Sequence, residues 1–273
     1  AAPVQITYLG YPNTSACPEV DFRITDHYAD CEGGTLYTEE LLYMPESFLC
    51  FGVIPECEQL EYAPFTKAEY ITFGSFCGVN KLTPEVIQAW SVILGQVQGS
   101  RLCLKKRWAS DRVRVNIIEE FTKHGISEER ICFLQVTDSY NEHLEQYNQI
   151  DIALDTFPYC GTTTTCEALM MGVPVVTLMG KLHAQRVSYS ILKNIGFEET
   201  ITNSIDNYIA KAVQLAQNPK GLGILRKTLP MLLKYSITGN PHQFTKQLES
   251  LYFEACRSKG VDLTNILPIS AGC

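Results

Sequence analysis

No stretch of this 273-residue chain approaches the ~20 consecutive apolar residues that span a bilayer. The richest run, Val173-Pro174-Val175-Val176-Thr177-Leu178-Met179, has only the length of a strand. The N-terminus, Ala1-Ala2-Pro3-Val4-Gln5, has neither the basic region nor the apolar core of a signal peptide. Positive charge is in short supply: 22 Lys+Arg stand against 30 Asp+Glu, for a net charge of −8. General attraction to nucleic acid or to an anionic membrane is thereby disfavoured. None of the 11 cysteines forms a C-x-x-C pair, and no Cys/His grouping has zinc spacing. The composition predicts reduced, partly buried thiols in a cytoplasmic or nuclear protein, with no metal. Internal repeats and low-complexity tracts are lacking too. So are the two common phosphate-binding loops, G-x-x-x-x-G-K-[ST] and strand-linked G-x-G-x-x-G, which removes the main support for a P-loop NTPase or a nicotinamide dehydrogenase.

What is present is a regular alternation. From residue 69 onward, short β-branched runs at Tyr70–Phe73, Arg101–Leu104, Ile131–Val136, Asp151–Asp155 and Pro174–Leu178 are separated by amphipathic stretches. Thr83-Pro84-Glu85 offers a cap, a proline at the first helical position and an early acid. Val86, Trp90, Ile93, Leu94 and Val97 follow at helical spacing. Strands recurring every ~25–30 residues with helices between them predict right-handed βαβ units and a doubly wound parallel sheet. The stretches 204–217, 221–235 and 241–257 read as helices that close this domain. Residues 1–68 differ. One strand, Val4–Leu9, leads into a segment rich in Gly, Pro, Asp and Glu, which reads as the end of a preceding domain plus a linker. The first residue is Ala, not Met, which fits a fragment or a processed form.

In open parallel sheets, ligands bind beyond the carboxyl ends of the strands. Lys81, His143, Lys181 and His183 all follow strands in this sense. The most informative segment runs Thr156-Phe157-Pro158-Tyr159-Cys160-Gly161-Thr162-Thr163-Thr164-Thr165-Cys166-Glu167. Four threonines are poor helix formers, yet Ala168, Leu169 and Met171 require a helix there. At a helix N-terminus, free N–H groups, the dipole and added hydroxyls attract an anion. Gly161 lets the backbone come close, and Glu167, one turn in, suits a sugar diol. Lys105, Lys106 and Arg107 end a strand and read as a solvated turn outside this set.

Asp151-Ile152-Ala153-Leu154-Asp155 through Glu167, continued by Met171-Gly172-Val173-Pro174-Val175-Val176-Thr177, resembles the SPINDLY / O-GlcNAc transferase family of protein O-glycosyltransferases, the SPINDLY branch in particular. Gly10-Tyr11-Pro12-Asn13-Thr14 resembles the end of that family's N-terminal lobe, and Phe73-Gly74-Ser75-Phe76 with Asn80-Lys81 its next motif. The resemblance implies a GT-B glycosyltransferase in which residues 1–68 are the end of the N-terminal catalytic lobe and a linker. Residues 69–273 would be the C-terminal Rossmann-like lobe that holds a nucleotide sugar without a metal or other cofactor. By the same resemblance Lys81 contacts the donor diphosphate, Thr163 and Thr164 place hydroxyls on the phosphates, Glu167 takes the ribose, and His143 lies beside the nucleoside. Gly161, Thr162 and His183 complete the implied donor set. Gly78, Tyr140, Gln146, Thr162 and Glu167 depart from the O-GlcNAc transferase pattern and point from UDP-GlcNAc towards the GDP-fucose of the SPINDLY branch, whereas Arg186 is closer to the former. The implied acceptors are Ser/Thr residues of intracellular proteins. The acceptor side would be completed by the remaining N-terminal lobe and by tetratricopeptide repeats.

Overall fold

The computed structural model describes residues 2–30, 36–52, 60, 63–105 and 111–263. Lys106 and Arg107 lie outside these residues. The chain opens on three short strands, β1 (Ile6–Thr7), β2 (Phe22–Asp26) and β3 (Glu40–Met44), which form a parallel sheet in the order β1-β2-β3. Sequence reasoning anticipated only the first. The cause lies in β2, whose five residues are all buried although Arg23, Thr25 and Asp26 are polar. Arg23 donates to the Tyr11 and Asn13 carbonyls, and Asp26 accepts from the amides of Tyr28, Ala29 and Phe48. Loop contacts thus satisfy polar groups that break the apolar pattern of a buried strand.

After the single turn of α1 (Phe65–Ala68), the larger sheet begins. Its strands are β4 (Thr72–Ser75), β5 (Arg101–Lys105), β6 (Ile131–Leu134), β7 (Ile152–Leu154), β8 (Val175–Leu178) and β9 (Ile201–Thr202). They are parallel and ordered β6-β5-β4-β7-β8-β9. This is the doubly wound arrangement that the alternation predicted, with the direction of winding reversing between β4 and β7. Helices α2 (Pro84–Gln96), α3 (Asp111–Lys123), α4 (Tyr140–Glu145), α5 (Thr163–Met170), α6 (Val187–Asn194), α7 (Ile205–Ala216), α8 (Pro219–Tyr235) and α9 (Pro241–Ser258) connect or follow the strands.

The strand period of two decides which helices lie on which face. Leu102, Leu104, Ile152, Leu154 and Val176 join Trp90, Ile93 and Phe121 of α2 and α3 in one apolar layer. Their neighbours Cys103, Ala153 and Val175 join Leu169, Ile191 and Leu229 of α5, α6 and α8 in the other. Thr83 caps α2 by accepting from the Val86 amide, as its sequence signature predicted. Within the first layer, Trp90 Nε1 donates to Tyr208 Oη at 3.0 Å, and Tyr208 Oη donates to the Asp155 carbonyl at 2.8 Å. That chain fixes the carboxyl end of β7.

Between α5 and β8, Gly172 has φ +74° and a Cβ there would stand 2.2 Å from the Arg226 carbonyl oxygen, so only glycine fits the crossing of α5 and α8. Helices α7 and α8 close the large domain as expected. Helix α9 does not: it turns back across the small sheet. Its Phe244 and Leu251 share a core with Ile24 and Met44, its Gln247 reaches Glu46, and Lys259 beyond it pairs with Asp21. Among the described residues, no helix is long and apolar enough to cross a membrane.

Candidate functional site

The reversal between β4 and β7 leaves a crevice at the carboxyl ends of these strands, and most of the residues singled out from sequence converge there. Beyond β4, a single 3₁₀ turn at Val79–Lys81 carries Lys81 over the loop that follows β7. Its Nζ donates to the Cys160 carbonyl at 2.6 Å and lies 3.6 Å from the centre of the Tyr159 ring. The next residue, Gly161, donates its amide to Asp155 Oδ1 at 2.7 Å. A Cβ on Gly161 would meet the Thr165 and Thr164 hydroxyls at 2.6 and 2.7 Å. Glycine is needed there to admit the threonines, a tighter reason than the ligand approach expected from sequence.

Helix α5 then starts at Thr163, with Thr162 as its N-cap and no side-chain cap bond. The four threonines divide by role. Thr165 is buried, and its hydroxyl pairs with Ser188 at 2.8 Å, so it belongs to the packing of α5 on α6. Thr164 Oγ1 meets Cys77 Sγ at 3.4 Å, while Thr163 is exposed at the helix mouth. The N-terminus of α5 thus carries no side-chain cap, and Lys81 is bound to the loop that leads into it.

One turn on, Glu167 is buried at 3% exposure, and two protein bonds fall on the same oxygen. His143 Nε2 lies 2.9 Å from Glu167 Oε2, and Tyr147 Oη donates to that atom at 2.9 Å. Burial, with the Glu167 carboxylate beside it, pushes the Tyr147 phenol far above its ordinary range, so Tyr147 stays a donor. Ser139 and Glu142 form a capping box that starts α4 and sets His143 on this face. Arg226, 2% exposed, reaches across from α8 to the Ile150 and Tyr147 carbonyls and holds the segment that carries Tyr147.

His183 occupies a different place. It is 3% exposed, its Nδ1 lies 2.7 Å from Asp30 Oδ2, and its ring packs edge-on against Phe48. It stands at the seam between the two sheets, next to Arg186, whose Nε donates to the Tyr28 carbonyl.

Two residues left out of the sequence set belong to the site. Lys105 was expected in a solvated turn; it is 8% exposed, and its Nζ lies 2.5 Å from His143 Nδ1 and 3.3 Å from Thr137 Oγ1. Burial lowers its pKa. Asp155 is 3% exposed and organises the loop after β7: Oδ1 accepts from the Thr156 and Gly161 amides and Oδ2 from the Thr177 hydroxyl. Burial raises its pKa, against the pull of these donors. Both residues end, or directly follow, a buried strand at the same rim, the one signal by which sequence could have found them.

A wider groove of about 700 Å³ runs along β9 and α7, lined by Asn203, Asn207, Lys211 and Gln214 among others, and shares no residue with this cluster. Among the described residues, no group of three or more His, Cys, Asp or Glu is arranged to hold a metal ion.

Lys81, the start of α5 without a side-chain cap and the buried Glu167 one turn in are thus grouped at this rim, and their chemistry could serve an anionic, diol-bearing ligand. The sequence profile of glycosyl transferase family 41 matches residues 1–53 and 62–248. The chain belongs to this family. Among family 41 relatives, it is 41% identical over 253 residues to a protein of Solanum lycopersicum named probable UDP-N-acetylglucosamine–peptide N-acetylglucosaminyltransferase SPINDLY, covering 92% of this chain and 27% of the relative. It is 29% identical over 267 residues to a protein of Arabidopsis thaliana named probable UDP-N-acetylglucosamine–peptide N-acetylglucosaminyltransferase SEC, with 93% of this chain and 27% of the relative covered. Among solved structures, an O-GlcNAc transferase variant from Thermobaculum terrenum superposes with a TM-score of 0.87 at 31% identity, covering 94% of this chain and 49% of the other. Sucrose-phosphate synthase from Thermosynechococcus elongatus, 14% identical with a TM-score of 0.57, shares the fold alone. The larger sheet is thus the C-terminal lobe of a GT-B family 41 fold, and the chain spans about a quarter of the length of the curated relatives it matches.

Proposed function

We propose that this chain is the donor-binding part of a protein O-glycosyltransferase, which transfers a sugar from a nucleotide sugar to Ser/Thr hydroxyls of intracellular proteins. The observation that carries the reading is the convergence of Lys81 and the uncapped N-terminus of α5 on the crevice between β4 and β7. The departing diphosphate needs charge stabilisation aimed at where the charge develops. Lys81, the α5 amides and the hydroxyls of Thr162, Thr163 and Thr164 supply it, with no metal or other cofactor in the scheme. Glu167 takes the ribose diol, and His143 supports the nucleoside side of the pocket. His183, at the seam, couples the donor lobe to the small sheet.

In this reading, residues 1–68 are the end of the N-terminal catalytic lobe with a linker, and residues 69–273 are the donor lobe, from which α9 crosses back onto the small sheet. The acceptor side belongs to the part of the relatives that this chain does not span, including tetratricopeptide repeats, and cytoplasmic and nuclear proteins are the acceptors. GDP-fucose is the favoured donor, because Gly78, Tyr140, Thr162 and Glu167 stand where the UDP-GlcNAc enzymes carry other residues. The SPINDLY relatives are named for UDP-N-acetylglucosamine, which keeps that donor as the second reading. Calorimetric titration of the chain with GDP-fucose, GDP, UDP-GlcNAc and UDP decides between them. Tighter binding of the guanosine pair is expected. Tighter binding of the uridine pair reverses the order, and no binding of any of the four overturns the donor-site reading.

A further inference from the structure

Lys105 ends β5 at the rim of the site, yet it makes no direct bond to a carboxylate among the described residues. Its ammonium meets the Glu167 carboxylate through an imidazole instead: Lys105 Nζ to His143 Nδ1 at 2.5 Å, then His143 Nε2 to Glu167 Oε2 at 2.9 Å. An ammonium group has three donors and no acceptor. Nδ1 of His143 must therefore accept, which places the ring proton on Nε2, where it is donated to Glu167. The second bond on the same oxygen comes from Tyr147 Oη, also a donor. Two convergent donors on Oε2 fix the carboxylate about its last torsion, and among the described residues neither of these bonds uses Oε1. Both nitrogens of His143 are thus used inside the protein, so any hydrogen-bonding effect of the ring on a ligand passes through Glu167.

We propose that Lys105 is a positioning residue of the nucleotide site: it fixes the Nε2–H tautomer of His143 and, through that ring, orients Glu167 towards the ribose diol. The second half of this statement rests on the donor-site reading above; the first half does not. Alternatives to Lys105 are few. The Thr137 hydroxyl is 3.3 Å from the same Nζ and steadies it. Tyr140, Tyr147 and Phe76 surround the ring as aromatic neighbours, with centroids 5.9, 5.8 and 5.9 Å away, and leave both ring nitrogens to Lys105 and Glu167.

The test uses the 273-residue chain with nitrogen-15-labelled histidine, the His143 signal being assigned by its loss in His143→Gln. Long-range proton–nitrogen correlation spectra should show a bare Nδ1 and a protonated Nε2 for His143 at neutral pH. In Lys105→Met the ring should become a mixture of tautomers, and affinity for GDP or UDP should fall about tenfold. Lys105→Arg, which keeps a donor, should recover the tautomer and most of the affinity, and it also serves if Lys105→Met fails to fold. Lys211→Met, on the distant groove, should match the wild type in both readouts. A wild-type ring protonated on Nδ1, or on both nitrogens, overturns the proposal. So does a Lys105→Met chain with an unchanged tautomer, or one with a changed tautomer and unchanged affinity. If the wild-type chain binds neither nucleotide, the donor-site reading and the ribose step fall together, while the spectra still decide whether Lys105 sets the ring.

Discussion

The two sheets treat buried acids in opposite ways. In the small sheet, burial alone would raise Asp30, but bonds from His183, Thr25 and Tyr37 outweigh it and hold the carboxyl below its usual range. Glu39 follows the same rule: against burial, donors on Ser15 and Thr14 bring it down to about 2. In the large sheet, burial wins. Asp151, at 1% exposure, accepts the Phe65 and Thr72 amides at 2.9 and 2.8 Å, and burial pushes it up to about 6. Asp155 is likewise raised. The small sheet also has an apolar core, shared with α9, but its buried carboxylates are met by many side-chain donors, whereas the large sheet tolerates a few acids at strand ends with fewer. The difference teaches that the small sheet adds charge networks to the apolar core it shares with α9, while the large one rests on its two apolar layers.

The comparison can be broken at several points. The largest expected effect is Arg226→Leu, which leaves the buried Ile150 and Tyr147 carbonyls without their guanidinium donor and should cost about 4 kcal/mol in denaturant unfolding. A loss below about 1 kcal/mol would mean that the large sheet holds its site segment by apolar packing alone.

Acid titration sharpens the comparison by sign. The native pKa of Asp151 is raised, so its favourable contribution is complete below the unfolded value and is lost as pH rises through about 6. Relative to Asp151→Asn, the wild type should lose about 3 kcal/mol of stability between pH 4 and pH 7. The native pKa of Asp30 is lowered, so relative to Asp30→Asn the wild type should gain stability as pH rises from acid, levelling off above the unfolded value. Slopes of the same sign for the two pairs would abolish the contrast.

His183→Ala removes a donor from the buried Asp30 carboxylate and the ring against Phe48. It should cost about 2 kcal/mol and speed amide exchange in β2 and β3 before the large sheet. Nucleotide affinity should change by less than about threefold if His183 serves the seam, since a lost seam contact leaves the α5 mouth intact. The smallest effect on stability belongs to Lys81→Ala, expected within about 0.5 kcal/mol because the side chain is half-buried over Tyr159. Its donor affinity should nevertheless fall by about tenfold or more. An equal loss of both would make Lys81 a structural lysine.

Much of the large sheet was legible because its strands are apolar runs and its helices begin with ordinary caps, as at Thr83 and Ser139. The candidate site was legible where residues cluster in sequence, from Gly161 to Glu167. Lys105 was not, because a lysine at a strand end looks solvated until Thr137, from the loop after β6, and His143, on α4, cover it. The strands β2 and β3 were missed for the same kind of reason: the partners that make Arg23 and Asp26 tolerable inside a sheet come from Tyr11, Asn13, Phe48 and Ser190.

By itself, the sequence determined the parallel alternation, the rim on which a ligand must sit, and the helix that opens on four threonines, since each depends on residues close in the chain and on the periods of strand and helix. Tertiary structure alone decided which threonines face the site and which pack, that His183 joins the two sheets, that α9 crosses back to the small one, and that Lys105, His143 and Glu167 form one hydrogen-bonded line. Those outcomes depend on burial and on donors that meet their acceptors only after segments far apart in the chain have been brought together, and burial is what turns an ordinary lysine or aspartate into a group whose partners matter.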